Sequence, residues 1–103
     1  MQLRYTVGVE FPDDEMPQRW LTWLRSGHIA QLLAGGATSA EIIHFDDAPR
    51  KYEVVYHFPS REAFETYERD HAPQLRAEGA SLFPPERGVV YTRTTGLIIG
   101  EFE

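Results

Sequence analysis

Two histidines head the same short pattern. His28-Ile29-Ala30-Gln31-Leu32-Leu33-Ala34-Gly35-Gly36-Ala37 and His71-Ala72-Pro73-Gln74-Leu75-Arg76-Ala77-Glu78-Gly79-Ala80 both read H-x-x-Q-L-x-A-x-G-A. Imidazole changes charge near neutral pH, so either ring can serve as a general base or orient a ligand. Either can instead donate to a nearby backbone carbonyl or carboxylate and lock a helix end. Asp70, adjacent to His71, points elsewhere on a helix and is a weak partner for it. Arg93 is the third residue with chemistry to offer. Strand alternation places it on the apolar face between Tyr91 and Thr95. A buried arginine requires a carboxylate, a carbonyl cage or an anionic ligand. It can bind the carboxylate of a small acid, pair with a structural Glu or Asp, or be turned to water by a bulge. Trp20, Trp23, Tyr52, Tyr56, Tyr67 and Tyr91 can line a pocket for a planar ligand or simply fill a core.

Other chemistries find little support. His44 and His57 fall several residues apart along the expected hairpin, too far for one ion, and no His-x-x-x-His spacing occurs. With no Cys, thiol chemistry and Cys-type zinc sites are excluded. No Gly-rich phosphate loop or nucleophile elbow is present, so no cofactor and no metal are expected. The net charge of −6 and the lack of a Lys/Arg cluster argue against a nucleic-acid groove. The start of the chain has no signal-peptide apolar region, and no apolar run approaches membrane-spanning length. A cytoplasmic protein that meets no membrane is the expectation. The 103 residues have room for one domain, 1–103.

The elements that must position these residues follow from periodicity. Leu3, Tyr5, Val7, Val9 and Phe11 alternate with polar residues, which predicts a half-buried strand. Asp13 or Asp14 then caps a helix that runs to about Leu33, with Leu21, Leu24, His28 and Leu32 on one face and Gly35-Gly36 as its stop. A hairpin follows, with strands over 39–46 and 51–59. Pairing Asp46 with Lys51 gathers Ile43, Phe45, Tyr52 and Val54 on one face and sets His44 opposite Glu53. Ser60 caps the second helix, whose stripe is Phe64, Tyr67, His71 and Leu75. Pro73 should kink it beside His71, and Gly79 should close it. A long last strand runs from Val89 to Phe102.

The order β-α-β-β-α-β, with its internal echo, predicts an α+β ferredoxin-like fold: a four-stranded antiparallel sheet with both helices on one face. The other face mixes Thr, Gly and His with Ile and Val. A second copy of the chain is its simplest cover, which predicts a homodimer through the open sheet face. The long last strand can reach across such a dimer.

The runs Trp20-x-x-Trp23-x-x-x-x-His28-Ile29, Tyr67-x-x-x-His71-Ala72-Pro73-x-Leu75-Arg76-x-Glu78-Gly79 and Thr92-Arg93-Thr94 resemble a family of small bacterial proteins known as a domain of unknown function. The resemblance covers nearly the whole chain, and His-Ala-Pro-x-Leu-Arg-x-Glu-Gly is its most specific part. The family is similar to the dimeric α+β barrel group, which includes cofactor-free monooxygenases, lactone isomerases, dehydratases and haem-binding enzymes. The resemblance implies fold and dimer, and transfers no reaction.

Three functions stay open at this level. One is binding of a small aromatic or carboxylated molecule between helices and sheet, by Trp20, Trp23, His28, Tyr67 and Tyr91. Another is a cofactor-independent monooxygenase or isomerase, with His71 as base and Arg93 stabilising an anion. The third is a non-catalytic structural or interaction module.

Overall fold

The computed structural model describes all 103 residues. Four strands, β1 (Leu3–Glu10), β2 (Ser39–His44), β3 (Lys51–Phe58) and β4 (Val90–Leu97), form one antiparallel sheet in the order β2-β3-β1-β4. Two helical arms cover one face. The first is α1 (Met16–Trp23), a kinked turn (Leu24–His28) with extended backbone at Gly27, and α2 (Ile29–Ala34). The second is α3 (Arg61–Asp70) followed by α4 (Ala72–Leu82). This is the α+β ferredoxin-like arrangement expected from the element order, with each arm interrupted once.

Local signals explain the boundaries. The Asp13 carboxylate accepts the amides of Glu15 and Met16 at 3.0 and 2.9 Å and opens α1. Gly36 takes φ 125°, a left-handed conformation suited to glycine, and ends the first arm. The Ser60 hydroxyl accepts the Ala63 amide at 3.1 Å and caps α3. One apolar cluster joins the two layers. Leu3, Tyr5 and Val9 of β1 and Tyr52, Val54, Tyr56 and Phe58 of β3 meet Trp20, Leu24, Leu32, Phe64 and Tyr67 of the arms.

Four expectations need correction. The hairpin is shifted by one residue: His44 faces Tyr52 and Ile43 faces Glu53. The Phe45 amide donates to the Lys51 carbonyl at 3.2 Å. The His44 ring lies 4.3 Å from Tyr52 at an interplanar angle of 8°, and its Nε2 sits 2.9 Å from the Pro49 carbonyl. These contacts, with Ile42 opposite Val54, outweigh the exposure of Ile43.

The second arm breaks outright at His71 (φ −126°, ψ −40°), and Pro73 sits in the first turn of α4, where a missing N–H costs nothing. The break hands the buried position to Ala72 and leaves His71 exposed, so the stripe Phe64, Tyr67, His71, Leu75 does not hold. Gly79 does not close α4, which continues to Leu82. The last strand stops at Leu97, no longer than β1 or β3; beyond it Ile99 and Phe102 are exposed. Strand order explains this, because β4 is an edge with a single partner.

Ser60→Ala is expected to destabilise the protein by about 1 kcal/mol, while Ser60→Asp, which keeps an accepting oxygen, stays near wild type. Urea midpoints measured at an unchanged m-value check this.

Candidate ligand cavity

The helical arms lie over β3 and β1, and β4 extends past them. Arg93, Thr94, Thr95 and Leu97 are consequently exposed. Between the arms and this uncovered margin is a cavity of about 220 Å³, lined by 18 residues of which 13 are hydrophobic. Its sheet side carries Tyr5, Val7 and Val9 of β1 with Tyr91 and Arg93 of β4. Register puts these side chains on one face, since Val7 pairs with Arg93 and Val9 with Tyr91. The first arm contributes Trp20, Trp23 and His28, and the second contributes Tyr67, Arg76 and Gly79.

His28 follows a kink in the first arm at Gly27, whose φ of 169° is extended rather than helical. Its ring stacks on Trp23 with centroids 3.9 Å apart and 22° between planes. The Trp23 indole N–H donates to Glu78 Oε1 at 3.0 Å. His28 Nδ1 is buried with no hydrogen-bond partner. Burial pushes the imidazole pKa down to about 4, against a smaller upward pull from the Glu78 carboxylate, so the ring is neutral at pH 7.

Arg76 Nη2 donates to the Tyr5 hydroxyl at 3.1 Å and to Glu68 Oε2 at 3.0 Å, with the guanidinium carbon 5.9 Å from the Tyr5 ring centre. Its Nε is buried and unpartnered. Burial, then the nearby Tyr5, raises the Tyr67 pKa, so its hydroxyl stays protonated. The Tyr91 hydroxyl is already engaged, donating to the Phe83 carbonyl at 2.7 Å, which leaves its ring as the surface on offer.

Trp20, Trp23, His28, Tyr67, Tyr91 and Arg93, all selected from sequence, line this one cavity. Arg93 lies on the expected face but is exposed rather than buried, because no helix covers β4. It forms no ion pair, and its guanidinium carbon rests 5.4 Å from the Tyr91 ring centre. His71 does not line the cavity. Its exposed ring packs toward Gly35 at the end of the first arm, where a Cβ on Gly35 would stand 3.3 Å from it. The two histidines of the repeat do share one place in their arms, since each immediately precedes the second helical segment.

Arg76, which is not among the residues selected from sequence, also lines the cavity. The signal was present: Ala72, Leu75, Arg76 and Gly79 follow the i, i+3, i+4, i+7 spacing of one helix face. No group of three His, Asp or Glu side chains is arranged to hold a metal ion. No helix is long and apolar enough to cross a membrane.

Because the folded His28 pKa lies below its ordinary 6.5, the unfolded chain binds the extra proton between these values. Stability is therefore full above about pH 6.5 and falls as pH drops toward 4, by at most about 3 kcal/mol. His28→Gln is expected to flatten that slope, measured as urea midpoints from pH 7 to pH 4.5.

Comparison with known proteins supports the same frame. No curated protein matches the chain. Among solved structures, a dimeric ferredoxin-like protein from an uncultured marine organism superposes with TM-score 0.73 at 12% identity, covering 98% of both chains. SnoaB from Streptomyces nogalater, a cofactor-independent oxygenase, has TM-score 0.73 at 7% identity, covering 97% of this chain and 95% of its own. A putative antibiotic biosynthesis monooxygenase from Deinococcus radiodurans has TM-score 0.69 at 13% identity, covering 100% and 97%. At such identities the likeness is one of fold. Residues 3–95 match the domain of unknown function DUF4286, and the chain belongs to that family.

Proposed function

We propose that this protein binds a small planar carboxylic acid in the cavity between its helical arms and the β1–β4 margin. The observation that carries this reading is the pairing of an aromatic, mostly apolar cavity of about 220 Å³ with two guanidiniums, Arg76 and Arg93, on its lining. A dry cavity of about 150 Å³ accepts a benzene ring, so this one has room for a ring with a substituent. Arg93 is the free cation, whereas Arg76 is already shared between Tyr5 and Glu68. The carboxylate meets Arg93 at the open margin, and the ring lies among Trp20, Trp23 and Tyr67. His28 and Arg76 each leave a buried nitrogen unpaired, a cost that a polar group entering beside them would relieve.

A second reading, a cofactor-independent enzyme, draws on one further observation. His28 is unprotonated at neutral pH and stands in the cavity that Arg93 borders, so it can act as a base, weakened by burial, that takes a proton from a C–H or O–H of the bound ligand while Arg93 stabilises the negative charge left on it. The fold of SnoaB is a precedent for such chemistry without a cofactor. In this reading the base is His28 rather than His71, which lies outside the cavity.

The protein acts as a homodimer through the sheet face that no helix covers. Val90 and Ile43 lie exposed on that face. A second copy would cover both.

In a thermal-shift series, substituted benzoates are expected to raise the melting temperature of wild type by mass action. Arg93→Met should weaken their binding by about 10- to 100-fold, the worth of one hydrogen bond to a charged group. His71→Ala should leave binding unchanged. Shifts of equal size in Arg93→Met would remove the carboxylate assignment. Sedimentation at micromolar concentration should show a dimer, and a monomer there would rule out the sheet-face interface.

A further inference from the structure

Gly79 lies inside α4, and a helix interior is an unfavourable place for glycine. Its φ is not positive, so backbone conformation does not require it. Space does. A Cβ at position 79 would stand 3.2 Å from Cη2 of the Trp23 indole, closer than ordinary contact. The indole cannot easily yield. Its N–H is tied to Glu78 Oε1 at 3.0 Å, one of its faces stacks on His28 at 3.9 Å, and Phe83 lies 5.6 Å away, ring centre to ring centre. Two consecutive residues of α4 thus meet the same indole, one by lacking a side chain and the other by accepting its hydrogen bond. Trp23, His28 and Gly79 all line the cavity.

We propose that Gly79 and Glu78 are positioning residues for the cavity, acting through Trp23: the missing Cβ admits the indole, the Glu78 carboxylate fixes its tilt, and the indole sets both the orientation of the His28 ring and the width open to a flat ligand. The inference rests on the cavity being the binding site. It makes position 79 the determinant of ligand size, and it makes the His28 ring orientation a property of the second arm rather than of its own. Glu78, which does not itself line the cavity, is the charged group that acts on His28 from the facing arm, and Arg76 and Arg93 are the charges on the lining.

Three variants of the full chain test this: Gly79→Ala, Glu78→Gln and Glu78→Ala. Each is read by His28 ring resonances in NMR, by Trp emission, by melting temperature and by benzoate affinity. An alanine in an unobstructed helix interior raises the melting temperature. Here Gly79→Ala should fail to raise it, should shift the His28 resonances and should weaken benzoate binding by ~10-fold, the worth of one well-oriented contact. Glu78→Gln keeps an oxygen that accepts the indole N–H. It should preserve the Trp emission and stay within about twofold of wild-type affinity, with His28 titrating lower for want of the carboxylate. Glu78→Ala should instead change emission and lose affinity as Gly79→Ala does.

A Gly79→Ala protein that melts higher, with unmoved His28 resonances, would overturn the proposal. So would identical behaviour of Glu78→Gln and Glu78→Ala, since the charge and not the indole bond would then matter. If wild type binds no benzoate while the His28 and Trp23 signals respond as described, the binding reading fails and the positioning stack stands.

Discussion

Tyr5 is the residue on which both the core and the cavity depend. Its ring packs against Tyr56 of the neighbouring strand and against Phe64 and Tyr67 of α3, with centroids 5.9, 5.0 and 6.2 Å away. Burying an aromatic ring of this size is among the larger single contributions available to a chain of 103 residues. The same side chain ends in a hydroxyl that accepts from Arg76 at 3.1 Å, and it lines the cavity. One residue thus fixes α3 to the sheet with its ring and fixes the cation of α4 with its oxygen. The break between α3 and α4 at His71 makes this double contact possible, because it lets the arm change direction between Tyr67 and Arg76.

The interruption of the first arm has the matching consequence. A regular helix would continue the spacing set by Trp20 and Leu24, both buried at 2% exposure. The backbone leaves helical geometry at Gly27 (φ 169°), and His28, which follows this kink, stacks on Trp23. Its ring is then held against an indole rather than against water, and burial keeps it neutral.

The fold was legible because its signals are local and redundant. Alternation of Leu3, Tyr5, Val7 and Val9, the Asp13 and Ser60 caps and the Gly36 stop each act within a few residues. The aromatic and basic lining of the cavity was legible for a related reason: strand parity puts Tyr91 and Arg93 on the face of Tyr5 whatever the details. What sequence could not supply depends on competition between distant groups. The hairpin register turns on a stack between His44 and Tyr52 and a bond to the Pro49 carbonyl, and neither follows from hydrophobic alternation. His71 left the buried stripe because Pro73 starts a new helix instead of bending the old one. Gly79 reads as a helix stop in isolation, and only the Trp23 indole from the other arm gives it a place inside α4.

Charge sharpens what the cavity can select. The chain carries a net charge of −6, so its long-range field repels anions, yet Arg76 and Arg93 present positive charge at the cavity. At physiological ionic strength the field is screened over about 8 Å. Repulsion by the distant carboxylates is therefore weak at the cavity mouth, while contact with a guanidinium is not. Such a site gains little from electrostatic steering and much from close fit. On the binding proposed for this cavity, a carboxylate would arrive at an ordinary rate and be kept by short-range pairing. A highly charged anion such as a polyphosphate has no such advantage here, because one free guanidinium and an apolar lining leave most of its charge desolvated and unpaired. Acidic surface, apolar lining and a single free cation together favour a ligand that is mostly ring and carries one negative charge.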